Sequence, residues 1–185
     1  MLFLLLVQLG SLVRLCSMER VASHLALEST ARPDTDEQDV FARSAFNRYY
    51  YAAYLEARKL LRNTVSRRDQ VGHSAAPDML KEKLRKRFVS LTSSKIRSRA
   101  VPQARGEQQK SLAIDAIESL AKLLKEAYKV RCIADYEPEI PVSLDKNTHT
   151  QTKLSGHSLK SAREWAQLAR KFCMIIQKAW DELNP

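Results

Sequence analysis

Apolar residues recur along this chain at helical spacing, and no stretch shows the strict alternation of a strand. In residues 44–61, SAFNRYYYAAYLEARKLL, Phe46, Tyr50, Ala53, Ala57 and Leu60 repeat at four-three spacing. Phe41, Ala45, Tyr49 and Ala52 form a second, offset stripe. A helix with two apolar stripes must be covered on two sides, so this one is expected at the centre of a bundle or shared with a second subunit. Asp34, Thr35, Asp36 and Glu37 supply its N-cap and first-turn acids, and the spacing predicts that it runs to about Asn63. Residues 64–76 read as a connector. Pro77 and Asp78 open the next helix, with Leu80, Leu84, Phe88 and Leu91 as its apolar stripe.

Residues 92–109, TSSKIRSRAVPQARGEQQ, are polar and basic with one Pro and one Gly, and read as a long mobile or functional connector. The strongest helix follows at 111–134, where Ala113, Ile117, Leu120, Leu124 and Ala127 form the stripe. Continuing the same count lands on Arg131 and then Ala134, which puts a charge on the core-facing side. Pro138 and Pro141 require this helix to stop near Tyr136. Residues 138–154 read as a linker, after which Ser155 or Ser158 caps a last helix with Leu159, Ala162, Ala166, Ala169, Cys173, Ile176 and Trp180 on one face. The expected fold is all-α, an antiparallel up-and-down bundle of four to five helices over 38–185.

Residues 1–37 are expected to be an N-terminal extension. Its first sixteen residues are apolar, but they lack a basic start and are interrupted by Gln8 and Gly10. They are also too short to span a bilayer, so no stable membrane insertion is expected. We read them as an over-extended start before Met18, ahead of a weak peripheral helix and of a secretion signal. Residues 19–31 form a short helix ended by Arg32-Pro33 in this reading.

At 185 residues the chain allows one domain of ordinary size, and only 4 Gly and 6 Pro agree with long helices. The three cysteines fall singly, which implies reduced thiols and a cytoplasmic protein. The four histidines show no ligand spacing, so neither a metal nor a cofactor is expected. Charge changes the picture more. The formal excess is +10, yet residues 58–105 alone carry fourteen Lys and Arg against three acids. So concentrated a basic surface attracts polyanions, RNA or DNA first among them, although a solvated helix face gives the same pattern.

Arg131, Asp135 and Tyr136 are the leading chemical candidates. A guanidinium on a core-facing stripe needs an acidic or carbonyl partner, and Asp135, four residues on, can supply one. This is either a structural ion pair or an anion-binding arginine with Tyr136 as a nearby hydroxyl. Tyr49 and Tyr50 are core aromatics or platforms beside Arg48 for an RNA base or phosphate. Lys83, Arg85, Lys86, Arg87, Arg97 and Arg99 are expected to contact nucleic-acid backbone without reading sequence.

Three stretches, SAFNRYYYAA at 44–53, GHS at 72–74 and RCIADY at 131–136, resemble in order and spacing the signatures of prokaryotic HEPN-domain proteins. The resemblance covers about 38–182 and implies a four- or five-helix bundle, usually dimeric. It also implies a role as ribonuclease toxin, RNA-binding accessory or nucleotidyltransferase partner, in phage defence or a toxin–antitoxin pair. The family's nuclease branch cleaves RNA without metal. Its histidine, five residues after the arginine, acts as base toward the ribose 2′-hydroxyl, while the arginine stabilises charge on the phosphate. Here the residue at that position is Tyr136, a poor base near neutral pH. Arg68 and His73 offer the same spacing in the first connector, and His73 could also join Arg131 if the helix ends converge. The resemblance therefore implies an RNA-directed protein, with metal-independent endoribonuclease activity as its enzyme form. The alternative is a non-catalytic dimeric module docking a nucleotidyltransferase, an antitoxin or another effector.

Overall fold

The computed structural model describes residues 2–65, 71–143 and 152–184, with side chains from residue 17 onward. The chain is mostly helical: α1 Leu2–Ala31, α2 Thr35–Thr64, α3 Ala76–Asp78, α4 Arg85–Arg97, α5 Gln103–Tyr136 and α6 Leu159–Leu183. A π-helical stretch, Met79–Leu84, joins α3 to α4, and two short antiparallel strands, β1 Lys153–Leu154 and β2 His157–Ser158, precede α6. Among the described residues no helix is long and apolar enough to cross a membrane.

The described chain divides into two compact units, Met1–Leu55 with Glu126–Gln167, and Glu56–Lys125 with Leu168–Pro185. In the first, α1 meets α2 where Ser23 and Tyr49 share a hydroxyl–hydroxyl hydrogen bond of 3.2 Å. Phe46 of α2 packs on Trp165 of α6, ring centroids 6.3 Å apart, and Tyr50 packs on Tyr128 of α5 at 5.8 Å. Along the two apolar stripes of α2 here, Ala45, Phe46, Tyr49, Tyr50, Ala52 and Ala53 are all nearly inaccessible, while Phe41 at the head of the second stripe is only half-buried. In the second unit Phe88 of α4 meets Trp180 of α6 edge-on at 5.4 Å, and buried Glu56 accepts from Arg170 Nε at 2.9 Å.

Several boundaries follow from the local chemistry. Asp34 caps α2, its Oδ1 accepting the Asp36 N–H at 2.9 Å, and α1 stops at Ala31 ahead of Pro33. Ser158 caps α6 by accepting the Ser161 N–H at 3.0 Å. The loop joining β1 to β2 is Ser155-Gly156, both at positive φ, the signature of a tight two-residue hairpin turn.

Four expectations need correction. The helix expected at 19–31 is the continuation of one that starts at Leu2. Residues 92–109 are not a connector, because α4 reaches Arg97 and α5 begins at Gln103. Gly106 and Pro102 suggested a break, but Gly106 lies inside α5, where a Cβ would come within 2.9 Å of Ile96 on α4. The tight approach of the two helices requires the missing side chain. The third is Leu91, expected on the α4 stripe. Leu80, Leu84 and Phe88 are buried, but Thr92 follows them while Leu91 is half-exposed. The wider π turn shifts the phase of the buried face, so burial advances in fours. Residues 138–154, read as a linker, hold an antiparallel bridge between Ser143 and Lys153.

Candidate functional site

The first and third motif stretches come together in the first unit. The middle of α2 presents Ser44, Asn47, Arg48 and Tyr51, and the end of α5 presents Arg131, Ala134 and Asp135. With Arg43 they line a cavity of ≈ 360 Å³. The helical count on α5 has the consequence drawn from it: Arg131 follows the buried stripe, and its side chain is 14% exposed.

Arg131 Nη2 donates to Asp135 Oδ2 at 2.8 Å and Nη1 to the Tyr136 hydroxyl at 3.3 Å, with the guanidinium 5.0 Å from the centre of the Tyr136 ring. Burial works to lower the Arg131 pKa, but the Tyr136 hydroxyl and the Asp135 charge outweigh it and hold the guanidinium firmly protonated. Asp135 uses its other oxygen to accept the Asn47 amide N–H. One carboxylate thus orients a donor from each helix. Two polar atoms remain closed off from solvent with no protein partner, Arg131 Nε and Asn47 Oδ1.

Arg43 fastens the end of α5. Nη1 donates to the carbonyls of Ile133, Ala134 and Glu137 at 3.2, 3.4 and 3.2 Å, and Nη2 to those of Pro138, at 3.3 Å, and Ile140. Its Nε donates to Asp39, whose other oxygen accepts the Val142 N–H at 3.0 Å. A helix end leaves carbonyls without partners, and Arg43 reaches across from α2 to satisfy them.

The remaining candidates divide. Arg48 is exposed at the cavity rim, and Tyr136 is 68% exposed. Tyr49 and Tyr50 are corrected: they are core residues at 2% and 1% exposure and present no face on which a base could stack. Burial first, with neighbouring Tyr54 and Tyr128, raises the Tyr50 phenol far above its usual value. Arg87 is exposed, and it also donates to the carbonyls of Thr64, at 2.6 Å, and Val65 and lies over Trp180. Lys83, Arg85, Lys86, Arg97 and Arg99 are exposed in the second unit. His73 also belongs to the second unit and does not line the cavity, and Arg68 lies outside the described residues.

Sequence reading missed Asn47, Arg43 and Asp39. Asn47 was legible in part, since it stands inside the first motif. Asp39 and Arg43 are an acid-before-base pair four residues apart, a readable helical ion pair, but their grip on a distant helix end has no local signature. No protein-family model, no curated protein and no solved structure matches this chain.

Proposed function

We propose that this chain is a HEPN-like protein that binds RNA, holding a backbone phosphate at the cavity between the middle of α2 and the end of α5. The observation that carries the reading is the convergence of Arg48 and Arg131 with Asn47 on one polar cavity. A guanidinium fixed by a carboxylate on one edge keeps its remaining N–H for a phosphate oxygen. Within the second unit, the exposed basic residues of α4 and the turn after it offer a sequence-independent surface for nucleic acid. A homodimer in a bacterial phage-defence or toxin–antitoxin system, with a nucleotidyltransferase or antitoxin as protein partner, is the setting the motif resemblance suggests.

Binding rather than cleavage is the stronger form of this reading. No imidazole stands among the eight residues around the cavity, and the phenol of Tyr136 is engaged by Arg131. The test is a salt titration of binding to a labelled single-stranded RNA, in parallel with incubation of total RNA and chelator. Arg48→Ala and Arg131→Ala are each expected to weaken binding and to lower the salt slope by about one. Unchanged affinity in both would overturn the site. Cleavage that persists in chelator and disappears in Arg131→Ala and His73→Ala would favour the nuclease reading instead.

A further inference from the structure

Arg43 lines the cavity but has nothing left to give a ligand. A guanidinium carries five N–H groups, and those of Arg43 face six acceptors: the carbonyls of Ile133, Ala134, Glu137, Pro138 and Ile140, and the Asp39 carboxylate. Its side chain is 11% exposed. Direct contact with a phosphate is therefore closed to it, while its charge remains beside the site.

That charge answers an electrostatic difficulty. The cavity lies at the C-terminal end of α5, where unsatisfied carbonyls amount to roughly half a negative charge. Asp135 adds a full one on the same turn, so an anion approaching Arg131 would meet a repulsive helix end. We propose that Arg43 is a positioning residue that makes this cavity able to accept an anion, by neutralising the carbonyl end of α5 and holding Arg131 and Asp135 in place. Asp39 aims the guanidinium and ties residue 142 to the same point. The inference rests on the phosphate-binding reading above.

The experiment measures binding of a single-stranded RNA oligonucleotide by fluorescence anisotropy across a salt series, with melting temperature alongside. Arg43→Gln keeps amide donors but no charge, and is expected to bind about three- to tenfold more weakly at each salt with the slope unchanged. Arg43→Lys keeps the charge and loses the fork. It should melt lower than wild type yet retain most of the affinity, a rescue that a purely structural clamp would not give. Equal affinity of Arg43→Gln and wild type would overturn the proposal. So would equal losses in the Lys and Gln variants, or a slope that falls by about one as in Arg131→Ala. If Arg43→Gln does not fold, Asp39→Asn takes its place. Although this change removes a negative charge, loss of the carboxylate that aims Arg43 should weaken RNA binding at each salt, and unchanged or tighter binding counts against the idea. Wild-type protein that fails to bind RNA sinks the phosphate reading itself, a result distinct from any of these.

Discussion

Arg131 occupies a turn of α5 where Ala127 before it and Ala134 after it are buried. An ion pair is weak evidence of stability, since an apolar residue of similar volume often does as well, whereas removing Asp135 leaves the largely enclosed Arg131 guanidinium without its counter-charge. Asp135→Ala is therefore expected to cost about 1–3 kcal/mol in urea denaturation, and Arg131→Met distinctly less. The reverse order would mean that the pair is there for stability alone. Arg99 makes a complementary case. It sits at φ 59 where α4 ends, its N–H bonding Ile96 and the next N–H bonding Lys95, a helix stop that glycine normally completes. Arg99→Gly should raise stability by about 1 kcal/mol and at the same time weaken RNA binding, and a variant both less stable and equally avid would contradict both halves. Tyr50 carries the pH dependence. Its phenol is raised in the folded protein, so the neutral form is favoured there. Stability is then complete below the unfolded value of about 10 and falls as pH rises beyond it. Tyr50→Phe should flatten the loss of melting temperature between about pH 9 and 11, whereas an unchanged alkaline profile would assign the loss to other groups.

At the scale of elements, what the sequence made legible was periodicity, and what it hid was long-range contact. The stripes of α2, α5 and α6, the stop at Tyr136, the Asp34 cap and the opening at Pro77 are local properties of side-chain spacing and backbone chemistry, and each could be read in order along the chain. The α4–α5 turn was misread because Gly106 and Pro102 break helices on propensity. Packing overrides propensity here: the glycine is needed by Ile96, a neighbour ten residues away. Gly106→Ala should therefore lose stability although alanine is the better helix former. A Cβ at 2.9 Å from Ile96 costs about 1–3 kcal/mol as overpacking, against roughly 1 kcal/mol gained in propensity. Trimming the neighbour, in Gly106→Ala with Ile96→Val, should recover part of the loss. A more stable Gly106→Ala would show that the two helices can separate freely. The π stretch and the Arg43 clamp lay beyond sequence reading for the same reason. One is a phase shift and the other a set of carbonyl contacts, and neither leaves a mark on residue spacing.

For the whole molecule, the excess of +10 is a statement about partners more than about fold. Of the positive groups named from sequence, Arg85, Lys86, Arg87, Arg97 and Arg99 are exposed, Arg87 while donating to the carbonyls of Thr64 and Val65. The candidate site was legible as two motif stretches and an i, i+4 pair. Its third element, the asparagine sharing the same carboxylate, needed the fold to bring α2 and α5 together. The most direct measurement is the slope of log affinity against log salt for single-stranded RNA, in wild type and in Arg131→Ala. Phosphate binding at Arg131 predicts steep salt dependence in wild type and a slope lower by about one in the variant. Identical slopes and affinities in the two proteins would contradict it.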